Sequence, residues 1–233
     1  MDSSAFCRGA RASKNWAVVA TLPGLVLLTG SSRAPCPPDM VEVPAAATCI
    51  DRYEWPNKAG QKPLLGASAL PEERDQKNGI VMDATTLCKQ AGKRVCQWDE
   101  WLAACLGPDG TNTPWGDNEV PRYTPGEREL PCNADKRYRA ANERQVGIRD
   151  PREMRRLDQS EPSGSRADCV SAVGAYDMIG NGEEWVKCPG IRTGWCLAGR
   201  HFAEARVCSR LATGHAPRWH YYSTAFRCCK DQQ

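Results

Sequence analysis

Asp177 and Glu184 stand seven residues apart within Gly174-Ala-Tyr-Asp-Met-Ile-Gly-Asn-Gly-Glu-Glu-Trp185, with Gly180 and Gly182 between them. Two carboxylates and the main-chain carbonyls of a glycine-permitted loop can converge on one point, which is the oxygen donor set of a hard cation. Calcium is the cofactor this pattern predicts, held by Asp177, Gly180, Gly182 and Glu184. The competing reading is a carboxylate-rich turn capped by backbone donors. Three histidines, His201, His215 and His220, lie near the end of the chain. His201 with Glu204, or His215 with His220, would make part of a metal site, although polar loop histidines without a metal are commoner. No nucleophile triad, phosphate loop or pair of catalytic carboxylates stands out.

The chain carries 13 cysteines, of which only Cys7 precedes residue 35. Arg8, Arg11 and Lys14 lead into the apolar run Trp16–Leu28, and small residues follow to Ala34. That layout is a signal peptide over residues 1–34, leaving one domain over residues 35–233. The run is too short for a comfortable membrane span, which needs roughly 20 residues, and Ser31 to Cys36 does not supply a lipid-anchor site. An uncleaved anchor is the alternative. The expectation is a secreted or periplasmic protein with no integral membrane segment after cleavage.

Twelve cysteines behind an export signal predict up to six disulfides. Zinc fits poorly, because no C-x-x-C pair occurs and the spacings among Cys88, Cys96 and Cys105 do not make a zinc knuckle. Connectivity is not legible from spacing, although Cys36 and Cys49 form a natural local clip. The adjacent Cys228 and Cys229 are expected to reach different partners, since neighbours bond each other only with strain. Removing residues 1–34 takes the formal charge from +3 to 0. A balanced surface argues against nucleic acid as a partner, because counterion release needs a concentrated positive face. The basic run Lys136 to Arg156 is interleaved with acids and reads as a solvated face.

The elements that must hold these residues are short. Met40–Val43 and Cys49–Glu54 alternate like strands, and Pro56 to Lys77 reads as loop. Asp83 can cap a helix running to about Ala91, ended by Gly92. Trp98, Trp101, Leu102 and Cys105 fall on one stripe of a second helix. Gly107 to Ser171 shows little periodicity. Trp195–Leu197, Arg206–Cys208 and Ala225–Cys228 alternate again. The fold class is α+β: a single loop-rich domain of two short helices and short antiparallel strands, stapled by disulfides.

Five blocks in order carry a family resemblance. They are Ile80–Arg94 and Val95–Ala104 with its E-W-x-x-A core, then Pro114-Trp-Gly-Asp117, then the Y-D-M-x-G-N-x-x-E-W loop ending at Trp185, then Ala225-Phe-Arg227. Together they resemble the formylglycine-generating enzyme family, or sulfatase-modifying factor domain, a variant of the C-type-lectin-like fold, over roughly residues 36–229. In copper-dependent members two cysteines in the segment R-G-G-S-x-x-C-x-x-x-x-C hold copper(I), which prefers sulfur. On this sequence the second cysteine falls on Cys208, the first on Ala203, the serine on Arg200, and an active-site tryptophan on Glu183. Cys208 is thus the one matched catalytic candidate, and in so cysteine-rich a chain it reads more readily as bridged. Copper is not expected as a cofactor, nor is formylglycine-generating activity.

The resemblance also assigns calcium to Asp177, Gly180, Gly182 and Glu184, sets Asn181 beneath that loop, and starts a second calcium site near Asn133 and Ala134. The expectation is a calcium-stabilised pseudoenzyme acting as a binding or structural module. Its recognition loops would be Pro108 to Arg128 and Ala198 to Tyr222, with Arg200, His201, Glu204, His215 and His220 on the surface and a peptide, protein or glycan as ligand. The alternatives are a divergent metal-dependent oxidase of the same family, built around Arg200, His201 and Glu204 and acting on a cysteine or peptide-derived substrate, or an active formylglycine-generating enzyme whose missing thiol comes from elsewhere in the chain.

Overall fold

The computed structural model describes residues 33–73, 77, 79, 82–116, 130–134, 136, 150–202 and 207–232. Residues 1–32 of the expected signal peptide therefore lie outside the described residues, as does Glu204. Strand β1 (Met40–Val43) turns through a 3-10 segment at Pro44–Ala46 into antiparallel β2 (Thr48–Asp51). Pro44 suits the start of that turn, where its missing N–H has no partner to lose, and Ala47 closes it with φ 52°. Further along the chain come β3 (Arg94–Val95), β4 (Glu183–Lys187), β5 (Trp195–Ala198), β6 (Leu211–Ala212), β7 (Thr224–Ala225) and β8 (Cys228–Asp231). One sheet has the order β1-β2-β8-β3, which joins the beginning and end of the domain, and the other has the order β6-β5-β4-β7. All named pairings are antiparallel except β4 with β7.

Both expected helices are present. Helix α1 (Ala84–Gln90) starts where the Asp83 carboxylate accepts from the Thr86 amide at 2.8 Å. Helix α2 (Trp98–Leu106) opens with a capping box in which Glu100 accepts from the Gln97 amide. Its stripe buries Trp101, Ala104 and Cys105 fully, with Trp98 and Leu102 half-buried. A third helix, α3 (Pro151–Leu157), lies in the stretch that reads as irregular. Asp150 caps it and Pro151 starts it, but seven residues are too few to display a stripe.

The tail departs from the expected strands. Val207 to Arg210 form coil and turn, and the strand begins at Leu211. The Ala225–Cys228 stretch is split at Phe226 and Arg227, because β7 joins one sheet through β4 and β8 joins the other through β2. Arg227 sits in the resulting kink, its side chain buried between the sheets.

All twelve cysteines from Cys36 to Cys229 are paired: Cys36–Cys49, Cys88–Cys228, Cys96–Cys229, Cys105–Cys208, Cys132–Cys169 and Cys188–Cys196. The local clip forms, and Cys228 and Cys229 part company for a simple reason. Successive strand residues face opposite sides, so Cys228 enters the core holding α1 and Trp185 while Cys229 enters the core built on Trp101 and Ile50. The bridges Cys88–Cys228, Cys96–Cys229 and Cys105–Cys208 close separations of 140, 133 and 103 residues. On the chain-entropy model each alone would contribute about 4–5 kcal/mol. Among the described residues no helix is long and apolar enough to cross a membrane.

Phe226 is fully buried and stacks on Trp55 with ring centroids 5.5 Å apart. Phe226→Ala should lower unfolding stability by about 3–5 kcal/mol, read from urea denaturation with the disulfides intact.

Candidate functional site

Arg227 is the centre of a buried polar cluster. Its guanidinium makes a two-pronged bond to Glu184, Nε to Oε2 at 2.7 Å and Nη2 to Oε1 at 2.6 Å. Nη1 also donates to the Asp51 carbonyl at 3.2 Å, and Nη2 to the Tyr176 carbonyl at 2.8 Å. The indole N–H of Trp101 donates to Glu184 Oε2 at 2.7 Å. Glu184 therefore has both sites of Oε2 taken and one of those on Oε1. Burial opposes the charge of Arg227, but Glu184, Glu54 and Asp177 together hold its pKa above the ordinary range.

Two further carboxylates face this pair. Glu54 is fully buried and accepts from Asn181 Nδ2 at 2.6 Å, the Gly182 amide at 2.9 Å and Ser163 Oγ at 3.4 Å. Burial first, and then the charges of Asp177 and Glu184, push its pKa well above the usual carboxylate range. Asp177 adopts φ 55° and accepts from the Gly164 amide at 2.7 Å through Oδ2. Burial lifts its pKa to about 6, with the Gly164 bond and Arg227 acting in the opposite direction.

The loop expected to bind calcium and the second loop expected near Asn133 prove to be one assembly. The Asn181 amide donates to the Asn133 carbonyl at 2.9 Å, and Asn133 Nδ2 donates to Asn181 Oδ1 at 3.0 Å and to the Gln159 carbonyl at 3.0 Å. Gly180, at φ 79°, lies so close that an added Cβ would come within 2.3 Å of the Asn133 carbonyl oxygen. Asn133 Oδ1 is buried and has no hydrogen-bond partner among the described residues.

This donor set suits a hard divalent cation in kind: carboxylates, glycine carbonyls and an orphaned amide oxygen. It suits one in charge as well, since Glu54, Asp177 and Glu184 outnumber Arg227. Glu184 is the weak member, because Arg227 already occupies most of it. Among the described residues no three His, Cys, Asp or Glu side chains converge as a metal cluster. A cation here would thus draw most of its ligands from main-chain oxygens, with Asp177 as the side chain best placed to contribute.

The histidines are dispersed along an aromatic column. His201 is buried, edge-on to Phe202 at 5.2 Å and tilted against Tyr222 at 6.2 Å. His215 stacks on Trp219 at 3.7 Å, Trp219 on Tyr221 at 5.5 Å, and Tyr221 meets Tyr222 at 4.2 Å. Burial, and then Arg200, lower the pKa of His215. His220 Nδ1 lies 4.0 Å from Glu72 Oε2. Arg200 holds φ 57° at the exit of β5. The Ala198–Tyr222 loop thus presents half-buried His215, Trp219 and Tyr221 in one stack, while Glu204 and residues 117–128 of the other expected recognition loop lie outside the described residues. Cys208 is fully buried and bonded to Cys105 of α2.

Sequence reasoning did not single out Glu54 or the roles of Trp101 and Arg227 at Glu184. The available signal for Glu54 was an acid set between the aromatic residues Tyr53 and Trp55.

Among the described residues, two small sheets, three short α-helices and long disulfide-tied loops define a C-type-lectin-like α+β domain of the formylglycine-generating type. Residues 41–229 match the sulfatase-modifying factor enzyme 1-like domain, and the chain belongs to that family. No curated protein sequence matches it. Among solved structures, the Major Tropism Determinant U1 variant aligns with TM-score 0.51 and 12% identity over 86% of this chain and 55% of that one, so this chain spans about half its length. CarF aligns with TM-score 0.46 and 16% identity over 79% of this chain and 86% of that one. PvdO from Pseudomonas aeruginosa aligns with TM-score 0.42 and 19% identity over 79% and 80%.

The buried acids make stability depend on pH. Asp177 titrates at about 6 when folded against 3.8 as a model group, so the native state holds its proton more tightly. That stabilisation is full below the unfolded value and is lost as pH rises through 6. Glu161, held down to about 2 first by its Arg166 bonds, acts oppositely: its contribution is present above 4.5 and fades as pH falls toward 2. With chelator present, the melting temperature should peak near pH ~4 and decline as pH rises toward ~6. Asp177→Asn should flatten the decline, as followed by calorimetry across that range.

Proposed function

We propose that this protein is an exported, calcium-stabilised member of the sulfatase-modifying factor family that lacks formylglycine-generating activity and works as a binding module. The observation that carries this reading is the Cys105–Cys208 bridge. Cys208 is the only cysteine aligned with the family's copper-binding pair, and a sulfur committed to a buried disulfide cannot serve as a thiolate ligand. Six disulfides suit an oxidising compartment outside the cytoplasm, in keeping with the signal peptide read from residues 1–34. The half-exposed stack His215, Trp219 and Tyr221, flanked by Arg200 and His220, supplies the recognition surface for a peptide, protein or glycan, since aromatic rings give large contact area at low entropic cost.

Calcium supports the scaffold in this reading. The reasons are the excess of buried negative charge around Arg227, the carbonyls of Gly180 and Gly182, and the unpartnered Asn133 Oδ1. The cation would be held between Asp177 and those main-chain oxygens and would offset charge that is otherwise compensated by bound protons.

Alkylation of the exported protein without reductant, followed by intact mass and peptide mapping, should label no cysteine. Incubation with a Cys-x-Pro-x-Arg peptide, copper and oxygen should leave the peptide mass unchanged. Labelling at Cys208 together with conversion of the peptide thiol to an aldehyde would overturn the proposal and restore an oxidase.

A further inference from the structure

The glycine loop can direct carbonyls at a cation only if each of its peptide planes is fixed. In a trans peptide the N–H and the preceding C=O point in opposite directions, so a bond to one aims the other. The Gly180 carbonyl is aimed by the Asn181 amide, which donates to the Asn133 carbonyl at 2.9 Å. The Gly182 carbonyl is aimed by the Glu183 amide, which donates to the Ser223 carbonyl at 2.9 Å. The peptide between them, Asn181–Gly182, has its amide on Glu54 Oε1 at 2.9 Å. We propose that Glu54 is a positioning residue of the cation loop, setting the middle peptide and thereby the angle between the two glycine carbonyls. This rests on the reading that the loop takes calcium.

The arrangement requires a carboxylate. Glu54 must accept twice, from the Gly182 amide through Oε1 and from Asn181 Nδ2 through Oε2 at 2.6 Å. Asn181 cannot turn its amide over to accommodate a donor. Its Oδ1 already accepts from Asn133 Nδ2 at 3.0 Å and from the Glu161 amide at 2.8 Å, while its Nδ2 also donates to the Glu161 carbonyl at 3.2 Å. A glutamine at position 54 has one acceptor oxygen and would set its NH2 against either the Gly182 amide or Asn181 Nδ2. There is little room for adjustment on the loop side, where a Cβ on Gly182 would meet Ala225 Cβ at 2.6 Å and Glu54 Oε1 at 3.1 Å. Outer partners that orient ligands in this way typically change metal affinity 10- to 100-fold, which sets the size expected here at about that range.

The test is terbium titration of the exported protein with calcium competition. Trp101 bonds Glu184 at 2.7 Å and should sensitise emission from terbium in the loop. Wild type should give emission that calcium displaces, and Asp177→Asn should abolish it. Glu54→Gln and Glu54→Asp, both with all cysteines still resistant to alkylation, should weaken binding about 10- to 100-fold. Glu54→Asp retains the charge and both oxygens but withdraws them from the loop, and it decides alone if Glu54→Gln does not fold. Wild-type affinity in Glu54→Asp would mean that charge, not position, is what Glu54 supplies, and would overturn the proposal. Absence of displaceable emission from wild type would overturn the calcium reading and this inference together.

Discussion

The buried ion pair between Arg227 and Glu184 is the constraint on which the rest of the structure depends. Glu184 lies in β4 of one sheet, and Arg227 lies in the kink where the chain leaves that sheet for the other. Through the Asp51 and Tyr176 carbonyls and the Trp101 indole, the pair also ties in β2, the loop before β4, and α2. Such a pair contributes little net stability over an apolar replacement, because desolvating two charges offsets their attraction. Loss of one partner is different, and leaves an unpaired buried charge at a cost of about 3–5 kcal/mol. The pair thus dictates where the two sheets meet and where the final strand must break.

Glu54 and Asp177 would be difficult to keep in this interior without that guanidinium. Burial above all, and neighbouring carboxylates after it, raise the pKa of both, so each holds its proton more readily than an exposed acid does. The same region is densely hydrogen-bonded. Both side-chain polar atoms of Asn181 are committed, so the orientation of its amide is determined from both sides. A loop with two glycines would ordinarily be among the more mobile parts of a domain, and here hydrogen bonds from three distant segments hold it.

The disulfides do for the loops what a larger core does elsewhere. Among the described residues few lie in regular structure, and the two main cores are rich in cysteine. Cys105 and Cys208 fasten the Ala198–Tyr222 loop to α2, and the aromatic column from His201 to His215 runs along the same loop. A surface held by a covalent bridge and stacked rings is preorganised, which reduces the ordering cost of binding.

Local features were legible in the sequence. Asp83 and Gly92 bounded α1, the tryptophan stripe marked α2, the twelve cysteines after residue 35 predicted up to six disulfides, and the ordered motifs pointed to the family. The helix signals depend on residues a few positions apart, where periodicity, capping and turn chemistry act directly, and the cysteine count and motif order require no contact partner to be known. What only the tertiary structure decided was who meets whom across the chain: Cys208 with Cys105, Cys228 and Cys229 with different cores, Glu54 with Gly182, Arg227 with Glu184. These partners lie tens to more than a hundred residues apart. Their pairing follows from sheet order and strand-face alternation, which exist only once the two sheets have assembled around the buried charges. Spacing could nominate Asp177 and Glu184 as cation ligands, but burial and Arg227 determined how much of each carboxylate is left to donate.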